Sequence, residues 1–296
     1  MTDLPEDHEH DRGLSHDLPK IVERAGLGRR GLLALFGGVG AAAVAGCGSD
    51  DASPSSSGSG SSGSGSSSDQ DGRGAGQPPG GDSNVSVAEG EIPEETGGPF
   101  PGDGSNGVNV LTESGVVRRD IRSSFGSASG TAEGVPLTIR LKVYDLNGDD
   151  ATILKGAAVY VWHCTREGEY SMYAQAVQDE NFLRGVQETD AQGWVEFTSI
   201  FPAAYSGRWP HVHFEIYPSL DDATSASNKL RTSQLALPED ACKQVYEADG
   251  YEQSGSNLSQ TSLDSDMVFG DGYSLQLAKV TGSNDEGYVA TLNVPV

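Results

Sequence analysis

From about Gly97 onward the chain reads as short apolar segments broken by turn signals. Val135-Pro-Leu-Thr-Ile-Arg-Leu-Lys-Val-Tyr144 alternates apolar and polar positions, the period of a half-buried strand, and Asp145-Leu-Asn-Gly-Asp-Asp150 then supplies a turn. Ala157–Trp162, Trp194–Ile200, His211–Tyr217 and Tyr288–Val294 are further strand candidates, and Asp190-Ala-Gln-Gly193 supplies turn chemistry before Trp194. Only Pro238-Glu-Asp-Ala-Cys-Lys-Gln-Val-Tyr-Glu247 has helical character, with Pro near its start and acids in its first turn. The pattern predicts an all-β domain over residues 96–296, a single sandwich or barrel with at most one short helix.

The chain before that domain has a different grammar. Arg29-Arg30 precedes a short run rich in Gly and Ala that ends in Val44-Ala45-Gly46-Cys47. A twin arginine, an apolar run and a lipobox-like cysteine in that order predict a twin-arginine export signal over residues 1–47, with a lipid anchor at Cys47. Such a protein would be extracytoplasmic, touching the membrane only through that anchor. The long acidic leader of residues 1–28 departs from the short basic n-region usual in signals. Residues 48–95 are dominated by Ser, Gly, Asp and Pro and cannot bury enough apolar surface to offset their ordering entropy, so they read as a tether.

Charge narrows the function. The 296 residues carry a formal net charge of −24, which argues against nucleic acid as a partner, because phosphate binding needs clustered Lys and Arg. Beyond Cys47 the cysteines are Cys164 and Cys242, and the sequence leaves open whether they pair.

The candidate chemistry lies in Tyr205-Ser-Gly-Arg-Trp-Pro-His-Val-His-Phe-Glu-Ile-Tyr217. On a strand His211 and His213 share a face, with Cα atoms about 6.6 Å apart, within reach of one metal ion. Glu215 lies on the same face another ~6.6 Å along, an awkward third ligand. His163, the remaining histidine of the domain, follows Trp162. Tyr205 and Tyr170 offer a different donor type: a phenolate is a hard anionic oxygen that suits Fe(III).

These stretches carry a resemblance. Gly97-Gly-Pro-Phe100, Val117-Arg-Arg-Asp-Ile-Arg122, Gly156–Cys164, Gly168-Glu-Tyr-Ser171, Asn181-Phe-Leu-Arg-Gly-Val-Gln187 and Tyr205–Phe214, in that order, are similar to the intradiol ring-cleavage dioxygenases. The resemblance implies that family's β-sandwich with long loops, and a mononuclear non-haem Fe(III) held by Tyr170, Tyr205, His211 and His213. It implies as substrates O₂ and a small aromatic diol, which binds as a dianion while Tyr205 leaves the iron and accepts a proton. The product would be a cis,cis-muconate-type dicarboxylic acid. By the same resemblance Arg208 stands beside the substrate ring and Gln234 near the reacting centre. All four ligands come from one chain, which is compatible with a homo-oligomer but does not require a second subunit type. Two positions depart from the family: Pro202-Ala203-Ala204-Tyr205 lacks the usual Gly before the tyrosine, and Thr165 replaces a common Asp or Asn. Two rival readings use the same residues, an Fe(II) or Zn(II) enzyme built on His211, His213 and Glu215, and a non-catalytic tethered β-sandwich that binds a ligand.

Overall fold

The structure, a computed structural model, describes residues 90–147 and 150–296. The expected export signal, with Cys47, and most of the expected tether lie outside the described residues. Among the described residues no helix is long and apolar enough to cross a membrane. Packing begins inside the stretch read as tether: Ile92 is fully buried and its N–H donates to the Pro295 carbonyl.

Two sheets form. The first pairs β1 (Pro136–Asn147) with β2 (Asp150–Ile153) and β5 (Trp194–Ile200), antiparallel. It continues through β9 (Gly287–Pro295), parallel to β1, to β8 (Lys279–Ser283). The second is antiparallel in the order β4 (Arg184–Glu188), β3 (Ala158–Trp162), β6 (His211–Tyr217), β7 (Arg231–Ala236). The alternation of β1 drives its packing: Leu137, Ile139, Leu141 and Val143 are all buried, in one core with Val159 and Val161 of β3 and Val212, Phe214 and Ile216 of β6. Burying those side chains is worth about 1.5–3 kcal/mol each before entropy is counted.

The second sheet is covered on both faces, which is why β3 and β6 are buried at every position. Ala158, Tyr160, Trp162 and Tyr217 on its outer face join a second core with Val110, Leu111, Cys164, Tyr170 and Ala203, against which Phe100, Met172 and Tyr205 pack. His211, His213 and Glu215 therefore point away from the sandwich core, beneath a roof of loops.

Several elements differ from the sequence expectation. β1 runs on to Asn147, so the predicted turn is the end of a hairpin with β2. β7 was not expected, because its buried residues Thr232, Ser233 and Gln234 are polar and give no apolar signal. The expected helix is α1 (Glu239–Val245), but a second short one follows, α2 (Glu252–Leu258). Its Gly, Ser and Asn disfavour helix in isolation. Tertiary contacts override that: the Ala204 N–H donates to Ser254 Oγ and Asn257 Nδ2 donates to the Ala204 carbonyl. Tyr246 and Tyr251 hydroxyls donate to the Pro202 and Phe201 carbonyls, so the helices clamp the loop that ends at Tyr205.

Candidate active site

β6 sets the first pair of donors. His211 and His213 face the same way and bring their Nε2 atoms to 3.1 Å. His211 Nδ1 lies against the Trp209 carbonyl, which can only accept, so Nδ1 carries the proton and Nε2 keeps a bare lone pair aimed into the site. The His213 ring stacks on Trp162, its cross-strand neighbour, at 4.8 Å and 3° between planes. Gly98, at φ +68, brings backbone to the other side: a Cβ there would stand 3.6 Å from His213 Cε1. His213 Nδ1 is buried with no hydrogen-bond partner.

Two loops add the phenols. Tyr170 closes a turn in which the Thr165 N–H donates to the Glu169 carbonyl. Gly168 at φ +89 lets that turn approach the Tyr205 Cβ. The Tyr170 hydroxyl lies 3.5 Å from that of Tyr205, which lies 3.3 Å from His211 Nε2. Tyr170 is buried and Tyr205 half-buried. The fold thus brings together Tyr170, Tyr205, His211 and His213.

Burial dominates their electrostatics. It pushes the Tyr170 phenol well above its ordinary value and Tyr205 to about 12, the latter opposed by the Arg208 charge. Burial, with Arg208 second, lowers His211 to about 3, and His213 is also held well below the imidazole range. Without a cation the donors are two neutral phenols and two neutral imidazoles. Two imidazole nitrogens 3.1 Å apart beside paired phenols are the donor chemistry of a hard, highly charged ion, which would offset the cost of ionising buried tyrosines. The residues fit ferric iron.

Arg208 and Gln234 lie beside these donors and touch each other. Arg208 Nη2 donates to Gln234 Oε1 at 2.7 Å, and Gln234, opposite His213 in the β6–β7 ladder, donates Nε2 to the Thr96 carbonyl. Asp266 is the residue that sequence reasoning missed. It accepts from Arg208 Nε at 2.9 Å and from the Trp209 N–H at 2.6 Å. It comes from a loop whose short polar sequence carries no motif.

Glu215 does not join the histidines. Its carboxylate accepts from Lys229 Nζ, Tyr217 Oη and Thr232 Oγ1, and among the described residues no group of three His, Cys, Asp or Glu is placed to hold a metal. This removes the rival His211–His213–Glu215 centre. Cys164 and Cys242 are both buried free thiols.

His163 spends its ring on Ser199 Oγ and the Cys164 carbonyl, and burial lowers it to about 4. The unfolded chain takes up this proton near pH 6.5 and the folded one only near 4, so stability is full above 6.5 and falls as the pH drops through that window. His163→Gln is expected to flatten the fall in the unfolding free energy of the metal-free protein between pH 6.5 and 4, by roughly 2–3 kcal/mol at pH 4. Parallel slopes for the two proteins would contradict it.

Comparison with known proteins agrees with this geometry. A sequence model of the Dioxygenase family matches residues 119–217, a span that holds all four donors and Arg208. The structure aligns with an intradiol ring-cleavage dioxygenase from Tetranychus urticae, TM-score 0.54, over 70% of this chain and 94% of that one, at 23% identity. The chain has the fold of an intradiol ring-cleavage dioxygenase. Catechol 1,2-dioxygenase 2 of Acinetobacter lwoffii is 36% identical over 77 residues, 26% of each chain. Chlorocatechol 1,2-dioxygenase of Rhodococcus opacus is 41% identical over 54 residues, 18% of this chain and 21% of that one. The matched stretches span about a quarter of these curated relatives. Within the intradiol fold, Gln234 and Asp266 lie beyond the matched segment, which ends at Tyr217.

Proposed function

We propose that this chain is an Fe(III)-dependent intradiol dioxygenase that opens a catechol with O₂ to a cis,cis-muconate-type dicarboxylic acid outside the cytoplasm. The observation that carries the reading is the convergence of two phenol oxygens and two imidazole nitrogens in a chain of 3.1–3.5 Å contacts. The residues present would hold the ion through Tyr170, Tyr205, His211 and His213. Ferric iron, when bound, supplies the Lewis acidity that keeps phenol oxygens ionised near neutral pH.

The protein's own contributions follow from position. Tyr170, packed against Phe100 at 5.0 Å between ring centroids, is the fixed phenol. Tyr205 is the more exposed one, on a loop where Ser206 and Gly207 are open to solvent, and it accepts the proton that a substrate hydroxyl loses. Arg208 presents a guanidinium held rigid by Asp266 and Gln234, which stabilises negative charge developing on the ring. Trp162 and the Trp209 carbonyl hold the two imidazoles in orientation. Both atoms of O₂ enter the product, so the reaction needs no outside reductant. The twin arginine and Cys47 support export and anchoring, with the Ser/Gly-rich tether as spacer.

The iron-loaded protein is expected to show a visible phenolate-to-iron charge-transfer band and to consume one O₂ per catechol. A colourless iron-loaded protein would overturn the ligand set, and coloured protein that consumes no O₂ with catechol, hydroxyquinol or protocatechuate would overturn the activity. Cell fractionation should find the protein on the membrane, with Arg29-Arg30→Lys-Lys retained in the cytosol; an unchanged distribution would refute the export route.

A further inference from the structure

The Nε and Nη2 edge of the Arg208 guanidinium is committed before any substrate arrives. Nε and Nη2 donate to Asp266 at 2.9 and 3.3 Å, and Nη2 also donates to Gln234 at 2.7 Å. The two charged side chains are 6% and 0% exposed. Asp266 is itself held by the N–H groups of Trp209, Val268 and Phe269 at 2.6, 2.8 and 3.2 Å. A carboxylate so fully satisfied stays ionised and stays in place. The pair stands at the donors: the Arg208 N–H donates to the Tyr205 carbonyl, and the Phe269 ring lies 6.4 Å from that of His211.

The second guanidinium near the donors, Arg184, is also spent, on the carbonyls of Phe100, Pro101 and Ser171 and the hydroxyls of Ser171 and Tyr160. On the strap that supplies the Thr96 carbonyl to Gln234, Glu95 adds another carboxyl, pushed to about 7 by burial and by Asp271. The Arg208 charge is therefore balanced by Asp266, the N–H groups of Arg184 are taken up by neutral oxygens, and the adjoining Glu95 and Asp271 are acidic. An anionic ring substituent would enter without a counterion and pay its desolvation unrepaid.

We propose that Asp266 is a positioning residue that, by orienting and neutralising Arg208, restricts the site to catechols whose ring substituents are uncharged. This rests on the intradiol reading above and deepens it. The alternative consequence of the same geometry, a purely structural tie between the loop of Asp266 and the β6 entry, makes a different prediction, because a structural tie does not discriminate substrates by charge.

The test compares catechol and 4-methylcatechol with protocatechuate, on iron-loaded wild type and Asp266→Asn. Two readouts are used: kcat/KM per iron from O₂ uptake, and Kd from the shift of the visible band under anaerobic titration. Wild type is expected to favour the neutral catechols by at least about tenfold in both, the size of one lost charge-assisted hydrogen bond. Asp266→Asn should keep the iron content and the band, lose about tenfold in catechol turnover, and narrow the preference about tenfold as Arg208 becomes free to meet the carboxylate. Equal or tighter use of protocatechuate by wild type would overturn the proposal, and needs no variant to be seen. An unchanged preference in folded, iron-replete Asp266→Asn would overturn it too. Failure of every catechol to bind or react would instead strike the intradiol reading itself, a distinguishable result.

Discussion

Tyr170→Phe is expected to lose more than about 100-fold in iron affinity, the charge-transfer band of its phenolate, and nearly all turnover, while the iron-free protein folds normally. Outer residues that merely orient a ligand cost about 10–100-fold when mutated, so deleting an anionic ligand costs more. The fold should tolerate the change because the ring does the packing: Phe100 lies at 5.0 Å, Tyr205 at 6.0 Å and His213 at 6.1 Å between centroids. The hydroxyl contributes little on its own, its contact with Tyr205 being a long 3.5 Å. Burial already disfavours its ionised form strongly, so only a bound cation makes the phenolate useful. Iron content by metal analysis, the visible spectrum and thermal melting check the three parts separately. A Tyr170→Phe protein with full iron and activity would refute the assignment.

Arg184→Met should be the most destabilising single change in the domain's second core, by about 3–5 kcal/mol in urea unfolding. Arg184 is fully buried, yet its partners are oxygens of Phe100, Pro101, Ser171 and Tyr160 rather than a carboxylate. Methionine would fill the stem but leave those buried carbonyls short of donors, and each unsatisfied one costs about 1–3 kcal/mol. The same bonds tie the strap carrying Phe100 to the turn carrying Tyr170. They also hold strained backbone, for Met172 and Leu183 on either side of the tie sit at φ 71 and 57 without being glycine. Limited proteolysis should therefore cut the variant within residues 97–103 before the sandwich opens. A loss below about 1 kcal/mol, with the strap still protected, would show that the cation is dispensable.

The fold class and the four side chains that the structure brings together were legible in the chain for different reasons. Strict alternation in β1 and β5 and the His-x-His spacing in β6 are local, period-two facts that need no partner to be read. Tyr170 and Tyr205 were legible only through the ordered motifs around them, since an isolated tyrosine says nothing about a metal. Glu215 shows the limit of face arithmetic: the period placed it beside the histidines, and cross-strand neighbours on β7 and Lys229 took it away. Strand β7 and helix α2 stayed hidden because their polar residues are satisfied by partners far along the chain, such as Thr96 for Gln234 and Ala204 for Ser254. Asp266 was invisible for the same reason, standing 58 residues from the arginine it holds. Local periodicity thus indicated a single sandwich or barrel with two histidines on one strand face. Only tertiary structure decided which face is roofed, how close the phenols come, and which carboxylate meets Arg208, because those depend on long-range pairing and burial that no short window of sequence contains.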